Sequence, residues 1–446
     1  MSFGNDDTAH LVPALALLLV AAHAGGWLFA RLRQPRVIGE IAGGLVLGPT
    51  VLGALVPHAQ RWLFPVGGPV PAALGAVYQL GLLLLMFAAG LQVGSFLERG
   101  ERRLVLSVAV FGTALPFAVG LAGTSALDLG SLAGPAGSED SLVLVLSCAL
   151  AVTSIPVIAR IMLDHGLLRT WFARVVLSAA VLEDLALYAV LAIAVGISQT
   201  GDSGIGLRTA LGLEPASLPG AAYYVLASSA ILAAGLALAR PRMRGTRPLG
   251  WLLRRARGSV ALQLIVLFAV SFACLLLDVV PVFGGLIAGI ALSPGGSEES
   301  PASATIAGFS LAFFVPIYFA LVGFRLDLAS HLDLALTAGL VVVACVLKGG
   351  SVYLGARMAR QPPLPSRHLA VAMNARGGPG IVLASISLDA GIINQRLYVA
   401  LVLLAIVTSL LAGGWLRRAA ERDRSVFEGP LGTRGAAPRA AIRRPR

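Results

Sequence analysis

The chain has 446 residues, 57% of them hydrophobic and only 13% charged, with 52 glycines and a formal net charge of +12. A soluble globular domain, with an apolar share nearer 45–50%, is excluded, and the chain reads as a polytopic membrane protein. Its arginines sit in short loops and the C-terminal tail, so the positive charge reports membrane orientation and not a nucleic-acid partner. Cys148, Cys274 and Cys345 all fall inside predicted spans, which implies no disulfide framework, and the acidic opening MSFGNDDTAH argues against a cleaved signal peptide.

Hydropathy predicts spans at 11–31, 37–55, 70–92, 104–125, 141–163, 172–198, 219–239, 259–278, 280–292, 304–324, 333–357, 368–388 and 397–416. The fold expected is therefore an all-α polytopic membrane protein with roughly 13 transmembrane helices. An odd count puts the termini on opposite sides. With the C-terminus inside, the inner loops and tail hold 28 arginines and the outer loops hold four, Arg61, Arg208, Arg325 and Arg396. That asymmetry fits the positive-inside rule. Residues 1–10 are expected as an external N-terminus, 11–416 as the membrane domain, and 417–446 as a basic, disordered cytoplasmic tail.

Span one holds His10 and His23, read as packed or interfacial side chains. Span two (RVIGEIAGGLVLGPTVLG) is short and glycine-rich, with Gly43, Gly44 and Gly48 permitting close helix approach. Its Glu40 has two readings, a structural pairing with a base or a helix end, and ion contact. Spans three and four carry no charge and read as scaffold, and 126–140 reads as a polar external linker. Span five (CALAVTSIPVIARIML) places Thr153, Ser154 and Pro156 at mid-membrane depth. Proline removes a backbone donor and clashes with the preceding turn, so a break is expected near residues 153–155. A simple kink is one reading. The other is an ion site, since irregular backbone at that depth is tolerated only where protein buries it or a watered cavity meets it.

Span six, from Phe172 to Ser198, carries adjacent acids, Glu183 and Asp184, near its middle. Each is expensive there, by about 2.5–3.5 kcal/mol on insertion scales, and such groups mark ion paths or proton relays. The bland alternative is an acid that pairs with a buried base and fixes packing. Spans seven and eight, joined by an arginine-rich loop, read as connector and scaffold. Asp278 and Pro281 divide 259–292 into two spans, and span nine shares GGL with span two, at 284–286 and 43–45. Span eleven holds Lys348, the chain's single lysine against 33 arginines. Arginine stays charged at any relevant pH, whereas a lysine side chain is able to release its proton; the alternative is a snorkelling lysine. Span twelve (MNARGGPGIVL) cannot form a continuous helix, and its Arg376 is read as neutralising carbonyl ends at the break, with substrate binding the other reading.

Spans one to six (about 11–198) and eight to thirteen (about 259–416) each have a short glycine-rich second member and a broken fifth member, with span seven (219–239) as connector. Equivalent positions lie seven spans apart, and an odd offset inverts the second copy. Inverted repeats with interrupted helices mark an alternating-access secondary transporter. A membrane enzyme is disfavoured, because no nucleophile–base pair, metal-ligand histidine pair or spaced aspartate pair occurs in spans six, eleven and twelve.

Five segments also carry a resemblance. RQPRVIGEIAGGLVLGPT at 33–50, AVTSIPVIARIMLDHGLL at 151–168 with SAAVLEDLALYAVLA after it, VFGGLIAGIALS, the Lys348 segment and MNARGGPGIVL resemble, in order and spacing, the monovalent cation:proton antiporter family. The likeness covers roughly 11–416 and looks closest to the sodium/proton exchanger-like and plant cation/proton exchanger-like members of its second branch. It implies a scaffold or dimer domain, a mobile core in which two broken helices cross, and a homodimer. Asp184 then matches the ion-binding, proton-carrying aspartate, Thr153 and Ser154 the polar residues of the first break, and Lys348 the lysine that pairs with the preceding acid. Glu183 departs from the family, standing where electrogenic members carry Asp and electroneutral ones Asn, and GGPG follows Arg376 where many members carry an acid. The expected partners are a transported monovalent cation (Na+ or K+), protons and the lipid bilayer of the plasma (inner) membrane, with no cofactor. The rival expectation is a proton-coupled exporter of an organic substrate on the same scaffold.

Overall fold

Glycine patterning decides which helices touch. Helix α2 (Arg36–Leu47) presents Gly39 and Gly43 to α1 (Asn5–Arg31), and a β-carbon at Gly39 would lie 2.2 Å from the Gly25 carbonyl oxygen. Only a hydrogen fits between those backbones, which is the small-residue packing that membrane helices use where hydrophobic burial gives no driving force. Helix α9 (Pro281–Leu292) repeats the device against α3 (Pro69–Phe96), where a β-carbon at Gly289 would meet the Phe87 carbonyl oxygen at 2.2 Å.

The computed structural model describes residues 4–32, 34–96, 101–124, 130–154, 158–159, 161–162, 166–167, 170–198, 206–214, 217–239, 255–293 and 300–428. The remaining long elements are α4 (Arg102–Thr124), α5 (Glu139–Ala151), α6 (Trp171–Ser198), α7 (Leu218–Ala239) and α8 (Val260–Leu276). They continue as α10 (Pro301–Phe324), α11 (Leu334–Met358), α12 (Pro363–Ala372), α13 (Gly377–Asp389) and α14 (Gln395–Arg422). Helix α10 widens to π geometry over Ser310–Phe314. Among the described residues, nine helical segments are long and apolar enough to cross a membrane, and three shorter apolar helices accompany them. The chain is thus a multi-pass, almost wholly helical membrane protein.

Packing sorts the helices into two groups. Helices α1, α2, α3, α8, α9 and α10 form a panel, while α4, α5, α6, α11, α12, α13 and α14 form a core, with α7 lying against α6 and α9. Asp278 adopts a left-handed conformation (φ 52°) between α8 and α9, and Pro281 opens α9, so the division of 259–292 has a local cause.

Three sequence expectations need correction. The N-terminus is not a free segment to residue 10, because α1 starts at Asn5. Residues 130–138 are not a loose linker: Gly134 and Ala136 donate to the carbonyls of Ile392 and Gly391, and Asn394 donates to Leu132, tying this loop to the α13–α14 turn. Nor is the tail irregular from 417, since α14 runs to Arg422 and a turn at Ser425–Glu428 buries Phe427. The apolar pattern fades there while the helix continues, because α14 projects past its packed section. The rest of the tail, the expected break residue Pro156, and most of the arginine-rich connector lie outside the described residues.

Candidate functional site

Two helices of the core stop in mid-bundle and resume, and the interruptions cross. Helix α5 ends at Ala151, after which Val152 is extended. Helix α12 ends at Ala372, and α13 begins at Gly377. Thr153 Oγ1 donates to the Met373 carbonyl at 2.6 Å, Ser154 N–H donates to the Ala375 carbonyl at 2.6 Å, and Gly378 N–H donates to Ser154 Oγ at 3.1 Å.

A broken helix leaves backbone groups that the membrane interior cannot satisfy. Here every one of the α5 end carbonyls has a donor. Cys148 accepts from Val152 N–H, Ala149 and Leu150 accept from Arg376 at 3.1 and 2.9 Å, and Ala151 accepts from Lys348 Nζ at 2.5 Å. The two cations therefore sit at the negative end of the α5 dipole. The end of α12 closes similarly, with the Asn374 side-chain amide donating to Ala370 at 3.1 Å and backbone N–H groups serving Leu369, Val371 and Ala372. At the start of α13, Gly377 N–H donates to Ser409 Oγ at 3.1 Å, Gly380 N–H donates to the Arg376 carbonyl at 3.0 Å, and Pro379 has no donor to satisfy.

Lys348 is fully buried and all three of its donors are used. Besides Ala151 they reach Glu183 Oε2 at 2.8 Å and the Gly112 carbonyl at 2.9 Å. The Gly112 carbonyl is free for a chemical reason: its helical partner would be the N–H four residues on, and that residue is Pro116. Gly112 must also be a glycine, because a β-carbon there would lie 2.7 Å from Glu183 Oε1. Span four is thus a contributor to the site and not mere scaffold, and the signal available in the sequence was its proline.

Asp184 is buried one residue further along α6. Its Oδ1, like Glu183 Oε1, has no hydrogen-bond partner among the described residues. Asp184 lines a cavity of about 10 Å³ with Val152 of the first break, Pro379 beside the second, Cys148, Tyr188 and Leu383. That volume suits one water-sized particle. The structure thus brings Glu183, Asp184, Thr153, Ser154, Lys348 and Arg376 together at the crossing. It does not bring Glu40, which lies in the continuous helix α2, its Cγ 3.4 Å from a β-carbon built on Gly26 of α1, with Arg36 the cation acting on it. Of the two readings of Glu40, the structure therefore corrects ion contact and compensation of a broken helix end, and leaves pairing with a base, Arg36. Sequence reasoning missed Gly112, Ser409, the amide of Asn374 and Tyr188.

Interrupted helices crossing beside an intramembrane acid pair define a membrane transporter of the interrupted-helix class. Residues 16–422 match the family "Sodium/hydrogen exchanger, transmembrane", and the chain belongs to that family. Cation/H(+) antiporter 20 of Arabidopsis thaliana is 29% identical over 419 residues, covering 90% of this chain and 47% of that protein. The chain spans about half the length of such plant relatives. Na(+)/H(+) antiporter NhaS4 of Synechocystis is 27% identical over 414 residues, covering 91% of this chain and 96% of that one. Na(+)/H(+)-K(+) antiporter GerN of Bacillus cereus is 26% identical over 404 residues, covering 90% and 94%. The structure of the sodium proton antiporter MjNhaP1 from Methanocaldococcus jannaschii aligns with a TM-score of 0.60 and 13% identity, covering 93% of this chain and 99% of that one. That likeness establishes the antiporter fold.

Proposed function

We propose that the chain exchanges a monovalent cation, Na+ or K+, for protons across the membrane by alternating access. The observation that carries this reading is the Asp184 oxygen, buried without a partner beside both helix breaks. Charge counting gives the chemistry. Lys348 compensates Glu183, Arg376 serves helix-end carbonyls, and among the described residues Asp184 remains as one carboxylate without a cation paired to it. One proton or one monovalent cation balances it, and the two compete for the same oxygens. Thr153 Oγ1 gives its proton to Met373 and keeps its lone pairs, and Ser154 Oγ also has acceptor capacity, so both can complete a cation shell.

The size of the cavity beside Asp184 favours a bare or nearly bare ion over an organic substrate. A larger cavity, about 370 Å³, lies between α4 and α6, but its lining is apolar and includes Leu106 and Val110, which are exposed on the bundle's outer face. Asp184 does not line it. The arginine asymmetry supports an external N-terminus and a cytoplasmic C-terminus in the plasma (inner) membrane, and the family resemblance supports a homodimer.

The test is cation-driven proton movement in proteoliposomes with an entrapped pH dye. Na+, K+ and Li+ are added in turn to wild type and to Asp184→Asn. A dye response to a cation, lost in Asp184→Asn while that variant stays folded, is the expected result. Full exchange by the variant would remove Asp184 from the site, and silence towards all three cations in folded wild type would refute antiport.

A further inference from the structure

The seam between panel and core carries a line of buried hydroxyls that leads away from the ion site. Tyr78 on α3, Tyr188 on α6, Tyr318 on α10 and Ser385 on α13 are all at most 8% exposed. None of their four hydroxyl oxygens has a hydrogen-bond partner among the described residues. Four such hydroxyls in succession, three from tyrosines and one from a serine, form a polar line through an otherwise apolar seam.

Their arrangement has direction. Tyr188 lines the small cavity with Asp184, and its hydroxyl lies within electrostatic reach of that carboxylate. Tyr318 is within reach of Tyr188 in turn. The hydroxyls of Tyr78, Tyr318 and Tyr398 converge on Ser385, each within its electrostatic reach, and Tyr398 OH also donates to the Val322 carbonyl at 3.1 Å. The Tyr78 and Tyr318 rings stand 5.0 Å apart. Beyond Tyr78 the line ends at Arg325, whose guanidinium sits 4.3 Å over the Tyr78 ring and pairs with Asp389 at 2.6 Å. Arg325 and Tyr78 in turn line a vestibule of about 310 Å³ together with Gln60, Phe64 and Phe324.

We propose that this line of hydroxyls is the route by which cation and proton pass between Asp184 and the outer vestibule, with the Arg325–Asp389 pair as the latch across its mouth. The inference rests on the antiport reading for its cargo and on the arginine asymmetry for which side is outer. Hydroxyl oxygens and tyrosine faces suit a partly dehydrated monovalent cation, and linked hydroxyls and waters suit a proton. The latch joins the two helix groups, since Arg325 follows α10 of the panel and Asp389 closes α13 of the core. A core that slides past the panel must part them, and it carries Asp389 away from the cation that stands over the entrance.

Chemical access tests the route without requiring transport. Ser385→Cys is placed in a chain whose Cys148, Cys274 and Cys345 are replaced, and a membrane-impermeant thiol reagent is applied from the vestibule side. The residue is expected to react, and Asp389→Asn is expected to speed the reaction about fivefold, the population shift given by losing a partly exposed ion pair. The exchanged pair Arg325→Asp with Asp389→Arg should return the rate towards that of the parent. No reaction in either background, in protein that stays folded and monodisperse, overturns the route, and a rate indifferent to Asp389→Asn overturns the latch. Tyr318→Phe, which keeps the ring, should slow exchange several-fold at unchanged thermal stability; unchanged exchange also overturns the route. Failure of antiport itself would show separately, as a wild-type protein silent to every cation.

Discussion

Replacing Lys348 with Met removes the ammonium and keeps most of the stem. Three groups then lose their donor together: Glu183 Oε2, the Ala151 carbonyl at the end of α5, and the Gly112 carbonyl opposite Pro116. Removing one partner of a buried ion pair costs about 3–5 kcal/mol, because it leaves an uncompensated charge. Each orphaned carbonyl adds about 1–3 kcal/mol where the site cannot relax or take up water. A working loss of about 5 kcal/mol allows for partial relaxation. At roughly 2 °C per kcal/mol, the upper value suited to so long a chain, the midpoint of thermal unfolding in detergent should fall by about 10 °C. The charge component is separable. Adding Glu183→Gln to Lys348→Met neutralises the stranded acid and should recover about 3 kcal/mol, leaving the two carbonyls as the residual defect. The assay is the surviving monodisperse peak in size-exclusion chromatography after graded heating. A single variant within about 2 °C of wild type, or a double variant no better than the single, would refute the assignment of Lys348 as the keystone of the crossing.

Gly112→Ala pushes a methyl group towards Glu183 Oε1 and Val352 Cγ2, at 2.7 and 3.0 Å. It should lower the unfolding midpoint and displace the acid, and a variant with wild-type stability and exchange would show that α4 can move aside. Ser409→Ala deprives Gly377 N–H of its acceptor and should cost about 1–3 kcal/mol in the same heating assay, whereas Ser409→Thr, which keeps the oxygen, should not. Phe427→Ala removes a ring held against Phe172 and His368 at centroid distances of 4.9 and 5.3 Å. It should free the terminal turn locally, so trypsin cuts at Arg422 and Arg424 faster while the global midpoint barely moves; an unchanged cleavage rate would refute docking of this turn.

Hydropathy and composition made most of the spans and both interruptions legible, because hydrophobic length and the TSIP and NARGGPG runs are local signals. Lys348 stood out by rarity, and Glu183 and Asp184 by their cost at mid-span. Gly112, Ser409 and the Asn374 amide were not legible, because each acts on backbone freed elsewhere in the sequence. Pro116 was the nearest clue: a proline inside a span announces an orphaned carbonyl four residues earlier, and an orphan in lipid needs a donor from another helix. Glu40 misled for the opposite reason. An acid in a glycine-rich span resembles part of a site, yet its helix is unbroken and it lies against α1. The tail misled because basic, apolar-poor sequence resembles disorder even where one aromatic, Phe427, anchors it.

The distribution of charge explains how the site can carry cargo without loosening the crossing. The interruptions are held by groups that need not change when an ion comes or goes: hydroxyls bonding across the breaks, Arg376 on Ala149 and Leu150, and Lys348 on Ala151. Lys348 and Arg376 are not interchangeable in this work. The arginine fork reaches carbonyls on α5 and α11 at once, while the lysine, a point charge, fits the narrow space beside Gly112. Arginine in place of Lys348 would bring a broad plane into a space where even a methyl group at Gly112 crowds Glu183. With both cations committed, Asp184 is left as the group whose charge must be balanced by something that moves. In the proposed exchange cycle, a rigid crossing and one unbalanced acid would let the core travel as a body, with its occupant, proton or cation, as the variable part.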